Sequence, residues 1–195
     1  GLAQVLGYVH TKATAVRLLL ARQQIPAAET QLAQLEEAAR GLFIDVREAI
    51  LGLRLTSQRD QRLGALLQEY AAHFSTLSDL PVTVEVAPTV SHLALPPETE
   101  LQLLRIVQEA LTNVRKHANA SRAKVSINRD HTEAAIIVED DGQGFDASLF
   151  RQTDVMSFGL STMQERVERV GGRLTVDSSP SEGTKVKIFV PVNGR

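Results

Sequence analysis

Residues 106–119, I-V-Q-E-A-L-T-N-V-R-K-H-A-N, restrict this chain more than any other stretch. Wound as a helix at about 100° per residue, the segment sorts its side chains by chemistry. Arg105, Glu109, Asn113 and Lys116 fall on one side, and Leu104, Val107, Leu111, Val114 and Ala118 on the other. One face can pack on a core while an acid, an amide and a base look outward together. That set suits a metal-bound polyphosphate. Asn offers an uncharged oxygen to Mg²⁺, Glu can hold a metal water or accept a proton, and Lys neutralises phosphate. Further along, the apolar strand Ala135-Ile136-Ile137-Val138 runs into Asp140-Asp141-Gly142-Gln143-Gly144. Its glycines let the backbone turn tightly against a flat ligand.

Two more motifs follow in order. Phe158-Gly159-Leu160 leads into Met163-Gln164-Glu165-Arg166-Val167, and Glu182-Gly183-Thr184-Lys185-Val186 precedes the closing strand. Together the four motifs resemble the N box, the G1 box and the later boxes of the Bergerat-type ATP-binding fold, the catalytic domain of sensor histidine kinases. The resemblance spans essentially the whole chain and implies ATP and Mg²⁺ as cofactors. There is no G-x-x-x-x-G-K-[ST] loop, so a nucleotide must be held another way. The resemblance implies that Asp140 accepts a hydrogen bond from the adenine amino group. It implies that Gly142 and Gly144 let backbone approach base and sugar, and that Thr184 supports the adenine site through its hydroxyl. Asp141 stands where many relatives carry asparagine. Asn113 matches the Mg²⁺ ligand, and Glu109 the acid that accepts a proton or holds a metal water. Lys116 is placed to meet phosphate, while His117 can cap the helix end. Gly159 and Leu160 would close over the nucleotide, with glycine at a helix start leaving backbone N–H groups open to phosphate. The lid is short, as in kinases that pair with LuxR-type response regulators.

The N-terminal third has a different character. Residues 1–24 read as a helix, with a break at Gln24-Ile25-Pro26. A second helix over 28–55 carries Leu32, Leu35, Ala39, Leu42, Val46, Ile50 and Leu53, in alternating steps of three and four. Two long amphipathic helices with a short break make an antiparallel hairpin. A second copy would complete a four-helix bundle, so a homodimer through residues 1–55 is expected. The resembling subfamily places its phosphoacceptor in His-Asp/Glu-x-x-x-Gln, often continuing Leu-Ala-Gln. Gly1-Leu2-Ala3-Gln4 fits the last four positions, which puts the acceptor two residues before Gly1. Gln4 then matches the glutamine that orients water for dephosphorylating the partner. His10 is rejected as the acceptor, because His10-Thr11-Lys12 lacks the adjacent acid that would take the imidazole proton.

Between these parts, residues 56–60 read as a hinge and Leu63, Leu66, Leu67, Tyr70 and Phe74 mark a short helix. A strand follows at 82–86, and Pro96-Pro97-Glu98 opens the N-box helix, which runs to about His117. Strands at 123–128 and 134–139, a mobile loop at 146–157, a helix at 159–170 ending in Gly171-Gly172, and strands at 173–178 and 184–191 complete the order. The expected fold is α+β: a helical hairpin over 1–56, then a Bergerat-type α/β sandwich over 57–195 with helices on one face of a mixed sheet. A net charge of −2 argues against general nucleic-acid binding, and the absence of cysteine excludes disulfides. No apolar run reaches the roughly 18–20 residues of a membrane span, and no signal-peptide pattern is present. The chain is expected in the cytoplasm, with any inner-membrane anchor in segments outside it.

The expected function is the ATP-binding catalytic portion of a two-component sensor histidine kinase. It would pass the γ-phosphoryl to a histidine and then to an aspartate on a response-regulator receiver domain. Gyrase-like ATPases and serine kinases share the nucleotide fold but not the long N-terminal hairpin. A decayed dimeric scaffold is disfavoured by intact Glu109, Asn113, Asp140, Gly142 and Gly144.

Overall fold

A computed structural model describes residues 2–56, 63–90, 93, 95–130, 132–146 and 158–192. The expected hinge after Thr56 and the loop from 147 to 157 lie outside the described residues. The chain divides into two compact units, Gly1–Leu51 and Gly52–Arg195, with the division inside the second helix.

In the first unit, α1 (Leu2–Ala21) and α2 (Ile25–Thr56) are joined by residues 22–24. The break sits earlier than the position of Pro26 suggests. Ile25 and Pro26 belong to the first turn of α2, where no backbone N–H is needed for a helical bond and proline is tolerated. Gln23 makes the turn in the left-handed region, at φ 59°. Beyond it, α2 folds back along α1. Lys12 Nζ reaches Gln31 Oε1 at 2.6 Å and Gln34 Oε1 at 2.8 Å, one helical turn apart on α2. Leu32, Val46 and Ile50, three members of the expected stripe, are exposed. No helix among the described residues is long and apolar enough to cross a membrane.

The second unit is built on one sheet. Its elements are α3 (Leu63–Ser78), β1 (Val82–Val86), α4 (Pro97–Asn113), a π-helical turn (Val114–Ala118), β2 (Ala123–Arg129), β3 (Glu133–Asp140), α5 (Phe158–Arg169), β4 (Arg173–Ser178) and β5 (Thr184–Pro191). Strand order is β1-β2-β3-β5-β4. β1 and β2 run parallel and the other pairs antiparallel. Strand periodicity decides the two faces. Val125, Ile127, Ile136, Val138, Val186 and Ile188 are buried on the inner face. There they meet helices α3, α4 and α5, whose Phe74, Leu104, Leu111, Met163 and Val167 are also buried. Each such side chain contributes about 1.5–3 kcal/mol when fully buried. The alternate residues form a charged outer face. Lys124–Glu85 and Lys185–Glu139 pair at 2.8 Å, and Lys187–Asp177 at 2.6 Å.

The N-box helix departs from a uniform spiral. Its α-helical part ends at Asn113, and residues 114–118 close a wider turn that stops at Asn119 in the left-handed conformation (φ 49°). Val114 and Ala118 remain buried, but Lys116 and His117 are both exposed. At the other end, Pro97 opens α4, and Glu100 accepts the backbone N–H of Leu63 at the start of α3.

Candidate functional site

A cavity of about 340 Å³ opens between α4, the end of β3 and α5. That volume lies in the range of small-molecule sites. Its walls are largely apolar: Ala110, Val114 and Ala118 from the helix, Val138 and Val186 from the sheet, and Leu160 from α5. The pattern that buries α4 on the sheet therefore also makes the wall of a slot. Among the described residues, one carboxyl group, that of Asp140 at the end of β3, enters this apolar lining.

Asp140 is half-buried, and burial pushes its carboxyl above the ordinary aspartate range. Backbone N–H groups of Gly142 and Thr184 act the other way, and the neighbouring Asp141 charge adds to the upward shift. The Gly142 bond to Oδ1 is 2.9 Å long. Asp140 and Thr184 face each other in the β3–β5 register, so one strand pair places both beside the cavity. Gly144, also in the wall, holds φ at 58°, and a Cβ there would collide with the carbonyl of Ser179.

Two neighbours of Asp140 do a different task. Asp141 turns away from the cavity and accepts Ser121 N at 2.8 Å, Ser121 Oγ at 2.7 Å and Arg122 N at 3.0 Å. The Ser121 hydroxyl is the first cause holding its carboxyl below the usual range. Gln143 grips the π-helical turn. Its backbone N–H donates to Ala118 O and its side-chain amide to His117 O, both at 2.7 Å. The loop after β3 is thereby fastened to the end of α4.

The polar row of α4 meets α5 at Gly159. A Cβ on Gly159 would overlap Glu109 Oε1 and stand 3.2 Å from Asn113 Nδ2 and 3.4 Å from Asn113 Oδ1. An acid, an amide and the first turn of a helix thus converge at Asn113, which lines the same cavity as Asp140 and Thr184. Free backbone N–H groups at a helix start favour anions.

Residues 98–194 match the family described as "Histidine kinase-, DNA gyrase B-, and HSP90-like ATPase". The chain is 30% identical to the signal transduction histidine-protein kinase/phosphatase DegS of Brevibacillus brevis over 192 residues, 98% of this chain and 48% of that protein. It is 31% identical to the nitrate/nitrite sensor protein NarQ of Escherichia coli over 193 residues, 96% of this chain and 32% of that protein. The chain belongs to the sensor histidine kinases. It spans about half the length of the DegS relative and about a third of the NarQ relative. The histidine kinase domain of the Erythrobacter litoralis EL346 blue-light activated kinase shares the fold, with a TM-score of 0.60 at 18% identity. That alignment covers 97% of this chain and 94% of the other.

Among the residues expected at a kinase nucleotide site, Asn113, Asp140, Gly144, Leu160 and Thr184 line the cavity. Gly142 is buried beneath it, against Ala118 and Asp140. Glu109 and Gly159 meet just beyond. Lys116 is not in the wall, whereas His117 is. A turn closed i→i+5 advances each side chain by less than the uniform 100° that put Lys116 in line with Glu109. Gln4 belongs to α1, and its side chain lies outside the described residues. Three participants carried no signal of their own in the sequence: Gln143, Phe145 and Ser178. Each is fixed by bonds to segments distant in the chain.

Proposed function

We propose that this chain is the ATP-binding catalytic portion of a two-component sensor kinase. It holds Mg-ATP, passes the γ-phosphoryl to a histidine, and supports transfer from there to a response-regulator aspartate. The observation that carries this reading is the half-buried Asp140 carboxyl in an apolar slot that is also lined by Asn113, where Glu109 and Gly159 converge. Asp140 accepts from the adenine amino group. Thr184 supports that edge, and Gly142 and Gly144 let the backbone close on base and sugar. Gly159 and Leu160 belong to the phosphate end.

The donor set also fits Mg²⁺. Among the described residues no cluster of three or more His, Asp or Glu could hold a metal by protein groups alone. Mg²⁺ in phosphoryl transfer takes one or two protein oxygens and fills the rest from phosphates and water. Asn113 would supply the direct oxygen, and Glu109 would hold a metal water or accept the proton of the attacking group. The metal neutralises developing phosphate charge, while these side chains position it. Gln4 on α1 orients water for dephosphorylating the partner regulator. The exposed stripe of α2 is covered by a second copy through residues 1–55, and the partner receiver domain is of the LuxR-type regulators.

The test uses full-length protein and γ-labelled ATP. Protein-bound label that is lost in acid and survives base identifies phosphohistidine, and Asp140→Asn should abolish it at limiting ATP. Acid-stable, base-labile label would identify a serine kinase on the same fold and overturn the reading.

A further inference from the structure

The hydroxyl of Ser178, at the end of β4, has three polar neighbours and only one proton. Phe145 N–H lies 3.0 Å away and can only donate. The Gly183 carbonyl lies 2.9 Å away and can only accept, so it takes the Ser178 proton. The third neighbour, Thr184 Oγ1 at 3.1 Å, receives no proton from Ser178 and therefore gives its own. Ser178 is then saturated, with one proton donated and both lone pairs filled. Thr184 lines the cavity beside Asp140 with its single proton turned toward Ser178. What its oxygen can offer a ligand is a lone pair, and an ionised Asp140 likewise offers only lone pairs.

We propose that Ser178 is a positioning residue that sets the polarity of the base-binding edge, making Thr184 an obligate acceptor beside Asp140. The site then takes a base whose facing edge carries an amino group, directly or through a water whose proton Thr184 accepts. A 6-oxo purine sets an acceptor oxygen against an all-acceptor edge, leaving lone pairs unmatched. This inference rests on the nucleotide reading above and adds to it the residue that enforces the choice of base.

Calorimetry of ATP and of inosine triphosphate on the whole chain tests it. Ser178→Ala frees the Thr184 proton, which can then turn to a 6-oxo group. The ratio of ATP affinity to inosine-triphosphate affinity should fall roughly threefold to tenfold. Ser178→Thr keeps the donor and both lone pairs and should preserve the wild-type ratio. In a Thr184→Val background, adding Ser178→Ala should leave the ratio unmoved. If Ser178 serves only to hold the loop, both affinities fall together and the ratio stays fixed, which overturns the proposal. An equal shift with and without the Thr184 hydroxyl overturns it as well. Should Ser178→Ala lose its folded circular-dichroism signature, Ser178→Cys, with its weak S–H donor, carries the same comparison. Wild-type chain that binds neither nucleotide overturns the nucleotide reading together with this one. ATP binding with an unresponsive ratio removes only the role of Ser178.

Discussion

Gly159 sits so close to Glu109 that the position of its missing Cβ is occupied by the Glu109 carboxylate. Gly159→Ala must therefore displace that carboxylate. Because it is the end of a flexible side chain, the fold can yield without collapse. The expected result is nearly unchanged thermal stability with phosphoryl transfer in the full-length protein reduced about a hundredfold, the scale of a misplaced general base. Stopped-assay rates alongside melting curves separate the two. Full activity would show that the Glu109 carboxylate has no fixed station.

The proposed role of Asp140 makes adenine recognition sensitive to acid. Its carboxyl titrates above the ordinary value of about 3.9, and ionisation leaves both oxygens as acceptors for the Gly142 and Thr184 N–H groups and a ligand donor. ATP affinity should fall as pH drops through that raised pKa. The ligand-free protein should behave in the opposite sense. A carboxyl raised by folding contributes stability below its unfolded pKa and loses that contribution as pH rises through the folded one. Asp140→Asn should cost about 1.5–3 kcal/mol of adenine-nucleotide binding, roughly tenfold to a hundredfold, and remove this part of the pH dependence. Calorimetry across the acidic range checks both parts.

The proposed role of Asn113 separates metal from base. Asn113→Ala removes an oxygen proposed to meet Mg²⁺, so Mg-ATP binding should weaken by about tenfold or more, against little change for metal-free ADP. Titrations with and without chelator decide it. Equal losses would assign Asn113 to the packing of α4.

The hairpin stripe predicts its own assembly. Leu32 and Val46 are 44% and 40% exposed in the single chain. Leu32→Glu with Val46→Glu should therefore be tolerated by a monomer but bury unpaired charge in a bundle. Sedimentation should show dimer for the unmodified chain and monomer for the double variant, with ATP binding retained. A dimer that survives both charges would place its interface elsewhere.

Asp141 marks the opposite electrostatic case. Its carboxyl is held below the usual range by the Ser121 hydroxyl first and then by the Arg122 and Ser121 backbone N–H groups. That contribution is present above the unfolded value of about 3.9 and is lost as pH falls through the lower folded value. Asp141→Ala should flatten the acid limb of a denaturation profile below about pH 4, with little change in pH dependence near neutrality. An acid limb that keeps its slope would show that other carboxylates carry it.

The parts of this molecule that were legible in the sequence are those set by local period and by motif. The alternation of Val125, Ile127, Ile136 and Val138 marks strands with one buried face, and Leu104, Val107 and Leu111 mark the face of α4 that the sheet covers. Pro26 was misleading because proline breaks a helix in its interior and is accepted in its first turn. Lys116 and His117 exchanged places at the cavity because the π-helical turn departs from the assumed period. The bonds made by Asp141, Gln143 and Ser178 were silent for another reason. Their partners lie 19 to 20 residues away for Asp141 and 26 for the Gln143 side chain. The Phe145–Ser178 bond spans 33. No periodicity carries that information.

The double grip of Gln143 on the carbonyls of His117 and Ala118 has a consequence for how the site measures its ligand. It joins the loop after β3 and the helix bearing Asn113 into one ruler, graduated before any ligand arrives. Mono-, di- and triphosphates of one base would then start from the same zero mark and differ only in how far along the scale they extend.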